Sequence, residues 1–219
     1  MKQIKVIITG TTGMVGEGVL MECLSSPQVS AVLSVSRKST GMSHPKLKEY
    51  LVPDFLGLKE DDNIMKGYDG CFFCAGVSSI GMSEADYTRM TYDTTIHFAK
   101  VLSGNNPEMT FIYVSGTGTD STEKGRIMWA RVKGKTENDL KKLPFKKVYN
   151  FRPGFMKAVP GQKRTLTLYK YLRWMYPILK TIFPNKASTL SQVAKSMIKC
   201  VTTDIDKQII EVKDINLLG

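Results

Sequence analysis

A glycine-rich turn between a short strand and a helix restricts the possible folds of this chain more than any other feature. Ile4–Ile8 is a β-branched run too short for a helix, and Met14–Ser25 carries apolar residues at helical spacing. The turn that joins them reads Thr9-Gly10-Thr11-Thr12-Gly13-Met14-Val15-Gly16. Glycines at this spacing allow a tight turn, a close approach of the backbone to a pyrophosphate and close helix–strand packing. The context predicts a dinucleotide held at a helix N-terminus, and an incidental glycine turn is the alternative.

Strand and helix patterns alternate along the next 140 or so residues. Helices are predicted from Ser83 to about Leu102 and from Arg126 to Leu143. With Ile4–Ile8, the predicted strands are Val29–Ser36, Lys48–Val52, Tyr68–Ala75, Met109–Ser115 and Lys147–Phe151. Six strands alternating with helices indicate an α/β fold, with a doubly wound, mostly parallel sheet between two helical layers.

The pattern changes after Gly161. An aromatic and basic helical stretch runs from Thr165 to Phe183, followed by a helix over Leu190–Cys200 and a strand near Gln208–Val212. We expect residues 1–219 to form a single domain, with about 155–205 as a small C-terminal helical cap on the substrate side. Alternatively, the basic aromatic stretch contacts an anionic membrane surface or a partner subunit.

The net charge of +11 is concentrated in one region, because residues 121–180 contain sixteen Lys and Arg against three Asp and Glu. This field attracts anions, but no nucleic-acid recognition motif accompanies it, so we expect no nucleic acid partner. No apolar run approaches the roughly 18 residues of a transmembrane helix. The cysteines show no disulfide spacing and Met1–Gly10 shows no secretion signal, which favours a cytoplasmic location.

Residues after the second, third and fourth strands indicate the type of cofactor. Ser36-Arg37-Lys38 has no acidic residue to bind a ribose 2′-hydroxyl, and two cations there favour the 2′-phosphate of NADP, with NAD as the alternative. Asp54-Phe55 is placed to meet the adenine ring, and Ala75-Gly76-Val77 is small enough for the cofactor to cross. Arg37 and Lys38 as solvated loop charges are the alternative interpretation.

Motifs along nearly the whole chain resemble the short-chain dehydrogenase/reductase superfamily. They are TGTTGMVG at 9–16, SRK at 36–38, DF at 54–55, FCAG at 73–76, YVSG at 113–116, WARVKG at 129–134 and FRPG at 151–154. The similarity is to its atypical branch, which includes the Tat-interactive-protein-like and epimerase/dehydratase-like Rossmann proteins. In that superfamily a Ser and a Tyr-x-x-x-Lys pair polarise and protonate a carbonyl while NAD(P)H supplies hydride.

The resemblance implies the residues of the site. Ser115 and Lys133 occupy the Ser and Lys positions, and Trp129 occupies that of the catalytic Tyr. The cofactor-binding residues expected from the motifs are Thr9, Gly10, Thr12, Gly13, Met14, Val15, Gly16, Arg37, Lys38, Asp54, Phe55, Ala75, Gly76, Val77, Ser115, Lys133, Arg152, Pro153 and Gly154.

Trp129 decides how much of the superfamily's chemistry is expected here. An indole N–H donates a hydrogen bond but does not ionise usefully, so it cannot replace a phenol as a proton shuttle. We therefore keep two hypotheses open. One is an NADP-dependent oxidoreductase or epimerase-like enzyme acting on an unknown small molecule, and the other is a non-catalytic NADPH-sensing protein that acts through a partner or membrane surface.

The remaining cysteine and histidine residues predict no further chemistry. Cys71 and Cys74 match a C-x-x-C pattern, but side chains three apart on a strand point to opposite faces, which favours core packing. His44 and His97 have no visible nucleophile partner, and no metal site is expected.

Overall fold

Seven strands, each hydrogen-bonded in parallel to its neighbours, form the central sheet of the computed structural model, which describes residues 3–59, 62–164 and 186–219. Strands β7 (Phe155–Lys157) and β8 (Ala187–Thr189) form a separate parallel pair. The spatial order of the central sheet is β3-β2-β1-β4-β5-β6-β9. Its strands are β1 (Ile4–Thr9), β2 (Val29–Ser36), β3 (Leu47–Leu51), β4 (Gly70–Phe73), β5 (Thr110–Val114), β6 (Lys147–Arg152) and β9 (Ile209–Glu211).

Helices cover both faces of this sheet. The described helices are α1 (Met14–Ser25), α2 (Glu84–Thr88), α3 (Thr94–Asn105), α4 (Met128–Leu140), α5 (Leu190–Thr202) and α6 (Val212–Leu218). A π-helical segment, Arg89–Asp93, joins α2 to α3, so the helix predicted after Ser83 is continuous but contains one wider, underwound turn. Ser83 caps it as expected, because its hydroxyl accepts a hydrogen bond from the Asp86 N–H.

Two hydrophobic clusters lie on opposite faces of the sheet, because successive side chains along a strand point to opposite faces. Ile8 and Phe72 pack with α1 and α5 on one face, while Ile7 and Phe73 pack with α3 and α4 on the other. Cys71 and Cys74 also divide between these two clusters. The predicted doubly wound parallel sheet is confirmed.

The C-terminal part of the chain differs in detail from the sequence prediction. The stretch from Thr165 to Phe183, expected to form much of the cap, lies outside the described residues. Helix α5, also expected in the cap, packs against α1 over one face of the sheet. The β7–β8 pair and helix α6 were not predicted. None of the described helices is long and apolar enough to cross a bilayer.

Two glycines make the turn between β1 and α1 possible. Gly10 has φ +67°, a left-handed conformation that side-chain-bearing residues rarely adopt. At Gly16 a Cβ atom would lie 2.2 Å from the Gly10 carbonyl oxygen, so backbone and helix touch directly. The turn therefore requires glycine at both positions.

Replacing Gly16 with Ala should destabilise the fold by at least about 2 kcal/mol, because the added methyl must displace backbone rather than a flexible side chain. The control is Gly104→Ala, an exposed helical glycine with open space around its Cβ position, which should stabilise by about 0.5–1 kcal/mol. Urea denaturation of both variants measures the difference. Equal stability of the two variants would contradict the assigned contact.

Candidate functional site

A cavity of about 620 Å³ opens at the carboxyl edge of the sheet, where the chain order reverses between β1 and β4. Open α/β sheets bind ligands at this switch point. The glycine turn, the ends of β2 and β4, the segment after β3 and the start of the π-helical segment all contribute to its walls. The lining residues are Gly10, Thr12, Gly13, Ser36, Arg37, Pro53, Asp54, Phe55, Leu56, Phe73, Cys74, Ala75, Gly76, Val77, Arg89, Met90 and Thr94.

Nine of the expected cofactor-binding residues meet in this one cavity: Gly10, Thr12, Gly13, Arg37, Asp54, Phe55, Ala75, Gly76 and Val77. Thr9, Met14, Val15, Gly16 and Lys38 do not line it. Thr9, Met14 and Lys38 are each adjacent in sequence to a lining residue, and Gly16 packs on the backbone of Gly10. The Thr9 hydroxyl accepts the Ala75 N–H at 3.1 Å, which fixes the β4 loop to the glycine turn. Ser36 donates to the Lys38 carbonyl at 2.7 Å and fixes the loop that carries Arg37.

The turn has the features of an anion cradle. Gly13 precedes α1 in an extended conformation, and no side chain caps the helix. The first N–H groups of a helix lack intrahelical partners and carry the positive end of its dipole. Because Gly10, Gly13 and Gly16 have no side chains, a phosphate can approach this backbone closely.

Cationic side chains surround the cavity. Arg37, which directly follows β2, and Arg89, in the π-helical segment, both line the cavity. The carboxylate of Asp54 already accepts a hydrogen bond from the Leu56 N–H at 3.0 Å, which caps a short helical turn. The polar side of the cavity therefore favours an anion.

Arg164 is a neighbouring cation that the sequence did not predict. Its guanidinium donates to the Thr12 carbonyl at 3.1 Å and to the Thr40 carbonyl at 3.5 Å, so it joins the glycine turn to the loop after β2. The buried Glu17 carboxylate holds this segment by accepting the backbone N–H groups of Lys163 and Arg164, at 3.2 and 2.6 Å. A contact across 152 residues leaves no local pattern in the sequence.

Ser115, Lys133 and Arg152 form a second cluster around the wholly buried Glu137, which the sequence did not predict either. The Ser115 hydroxyl lies 2.5 Å from the Glu137 carboxylate and 3.1 Å from the Phe151 carbonyl. Arg152 donates to both Glu137 oxygens, at 3.0 and 2.5 Å, and Lys133 donates to the main-chain carbonyl of Ser115. None of these four residues lines the cavity.

Burial dominates the electrostatics at Lys133. It lowers the pKa of the ammonium to about 8, because removal from water penalises the charged form. The negative charge of Glu137 acts in the opposite direction and is the smaller effect. Lys133 therefore titrates near neutral pH.

Trp129 lies on the first turn of α4, one turn before Lys133, as the sequence predicts. Its half-buried ring lies beside Gly118 in the loop that follows β5. Pro153 and Gly154 make contacts within the protein. The Pro153 carbonyl accepts the Thr117 N–H at 3.0 Å, and Gly154 packs against the backbone of Lys186. Neither lines the cavity.

Both histidines hydrogen-bond to main-chain atoms of the described residues. A ring nitrogen of His97 hydrogen-bonds to the Leu58 carbonyl at 3.0 Å, and His44 accepts the Lys46 N–H at 3.2 Å. Burial raises the pKa of the Cys74 thiol to about 12, so this cavity-lining cysteine stays protonated. Within the described residues, no group of three or more metal-ligating side chains forms.

Comparison with known proteins agrees with this architecture. No family model matches the chain. It is 28% identical to protein fmp52, mitochondrial, of Aspergillus clavatus over 169 residues, which cover 73% of this chain and 69% of that protein. It is 25% identical to protein HTATIP2 of Rattus norvegicus over 158 residues, covering 71% of this chain and 64% of that protein.

Solved structures share the fold at lower sequence identity. A short chain dehydrogenase family protein from Francisella tularensis superposes with a TM-score of 0.61, 16% identity and 92% coverage of both chains. The Bordetella bronchiseptica enzyme WbmF, in complex with NAD⁺, superposes with a TM-score of 0.66 and 15% identity over 96% of this chain and 73% of its own. The resemblance to short-chain dehydrogenase/reductase and Tat-interactive-protein-like Rossmann proteins is thereby confirmed.

The cytoplasmic location expected from the sequence is wrong, because the fmp52 proteins to which the sequence is similar are named mitochondrial. The expectation depended on cysteine usage and on the lack of a secretion signal. Those features argue against a strongly oxidising compartment but do not separate the cytoplasm from an organelle interior.

The low pKa of Lys133 predicts a specific pH dependence of stability. Between pH 8 and 10.5 the unfolded chain keeps a proton that the folded chain has lost, so raising the pH favours the folded state. The stability of the wild type relative to Lys133→Met should therefore rise by about 1–3 kcal/mol across this window. Urea denaturation at pH 7.5 and 10 measures it, with Lys100→Met, an exposed α3 lysine, as control. A pH-independent difference between Lys133→Met and the wild type would contradict the assignment.

Proposed function

We propose that this chain binds NADP along the carboxyl edge of its sheet and acts as an oxidoreductase or epimerase-like enzyme on a small molecule. The observation that carries the proposal is the cavity that unites the uncapped glycine turn with Arg37. The turn accommodates the pyrophosphate, and the segment at Asp54 and Phe55 accommodates adenine. We also propose a mitochondrial location, from the names of the fmp52 relatives.

Charge supports NADP over NAD. An NAD-specific site uses a carboxylate after the second strand to accept the ribose hydroxyls. Here that position carries Arg37, and the Asp54 carboxylate is already engaged by the Leu56 N–H. Arg164 adds a cation above the glycine turn. A guanidinium pairs with a 2′-phosphate in two parallel hydrogen bonds, which adds both affinity and selectivity.

The nicotinamide half then extends past β4 towards β5, where Ser115, Trp129 and Lys133 lie. Bound NADPH would supply hydride there. Of the three side chains, Lys133 is the one able to exchange a proton near neutral pH, since its pKa is about 8 and an indole does not ionise. The Ser115 hydroxyl contacts Glu137 and is directed into the protein.

A second candidate function, NADPH sensing without catalysis, is favoured by two observations on the residues near the expected nicotinamide. Trp129 provides no phenol, and Ser115 has its hydroxyl engaged by a buried carboxylate. Such a protein would bind NADPH without oxidising it and would change its affinity for a partner or an anionic membrane surface. The aromatic basic stretch at 165–183 would supply the contact surface.

Titration calorimetry of the cofactor-free protein tests the cofactor assignment. Arg37→Gln should weaken NADPH binding about tenfold, because a charge-assisted contact to the 2′-phosphate is lost, and should leave NADH binding within twofold. Arg126→Gln is the matched control, since Arg126 is exposed and does not line the cavity. Equal weakening of both dinucleotides would contradict a 2′-phosphate contact, and no binding to the wild type would overturn the proposal.

Trp129→Tyr distinguishes the two functions. A phenol one turn before Lys133 restores a proton donor, so any NADPH oxidation with a panel of aldehydes and ketones should rise about tenfold or more. Trp129→Phe, which adds no ionisable group, is the control. If the wild type and both variants bind NADPH but none oxidises it, the sensing function is supported over the enzymatic one.

A further inference from the structure

The Glu137 cluster lies on the half of the sheet that the glycine-turn cavity does not reach. Ser115 follows β5, Arg152 ends β6, and Glu137 is on α4. In the sheet order both strands lie beyond β4, away from β1 and β2. In a doubly wound fold each half of the sheet receives one nucleotide, so this cluster lies where the second nucleotide of a dinucleotide extends.

Glu137 is the centre of the cluster. Its side chain is fully buried, and its carboxylate accepts from the Ser115 hydroxyl and from two nitrogens of Arg152, whose side chain is 12% exposed. A buried carboxylate is tolerated only with such partners, and breaking the pair leaves an uncompensated charge. The arrangement is therefore rigid.

Ser115 is held from two sides. Glu137 accepts its hydroxyl, and the Lys133 ammonium donates to its main-chain carbonyl. An ammonium has three N–H donors, so this contact uses one and orients the other two. A shift of the Ser115 main chain would therefore move the acceptor that orients Lys133.

We propose that Glu137 is a positioning residue for the nicotinamide half of the cofactor, an inference that rests on the proposed dinucleotide function. It turns the Ser115 hydroxyl into the protein and thereby sets Lys133 as the group presented to the ligand. Ser115 on this account is part of the support of the site and does not polarise a substrate carbonyl. The negative charge of Glu137 also helps Lys133 to keep its proton.

Two ligands separate this role from general destabilisation. NADPH spans both halves of the site, whereas 2′-phospho-ADP lacks the nicotinamide and its ribose and reports on the adenosine half and the diphosphate alone. Both are titrated calorimetrically into the wild type, Glu137→Gln and Glu108→Gln, the last being an exposed carboxylate control with 88% side-chain exposure. Glu137→Asp is included in case the Gln variant does not fold, since it keeps the charge beside Arg152 but shortens the reach to Ser115.

Glu137→Gln, or Glu137→Asp in its place, should weaken NADPH binding about fivefold while 2′-phospho-ADP binding changes less than twofold. The Glu108→Gln control should leave both affinities unchanged. Equal loss of both ligands, or loss of neither, would overturn the positioning role while leaving the proposed function intact. If the wild type binds neither ligand, the proposed function itself fails, and this inference fails with it.

Discussion

The helix α1 begins against the carbonyl of Gly10, at a distance that leaves no space for a side chain at Gly16. This contact directs the free N–H groups of the helix towards the carboxyl edge of the sheet, next to the point where the strand order reverses. The cavity walls from β2, β3 and β4 are arranged around that point. A side chain at Gly16 would therefore disturb both the packing of α1 and the geometry of the anion cradle.

The arginine side chains have different surroundings in the two halves of the sheet. Around the glycine turn the cations Arg37 and Arg89 line an open cavity, where an anionic ligand can neutralise them, and Arg164 contacts the turn at the Thr12 carbonyl. Beyond β4, Arg152 is neutralised inside the protein by Glu137. On the proposed function the first half receives negative charge from a ligand, whereas the second half holds its own charged groups in fixed positions.

The sequence predicted most of the first half because its signals are local. Helix α1 and strand β2 have the expected bounds, and the residues following β1 to β4 converge since carboxyl ends of parallel strands share one edge. The position of Arg37 in the cavity lining was likewise predicted from its place after a strand. These features depend on spacing within a few residues of the chain.

The features that were missed depend on contacts between distant segments. Arg164 reaches the glycine turn across 152 residues, and Glu137 is an unremarkable glutamate in a helix until folding buries it beside Ser115 and Arg152. Strands β7 and β8 have three residues each, too few to show a periodic pattern. For Ser115, the sequence identified the position but could not show that its hydroxyl is directed towards Glu137.

A crystal structure of the protein with NADPH tests the central claim most directly. We expect the pyrophosphate at the N-terminus of α1, the 2′-phosphate within hydrogen-bonding distance of Arg37, and the nicotinamide ribose beside Lys133. A dinucleotide bound away from the glycine turn, or with its 2′-phosphate out of reach of Arg37, would contradict the account.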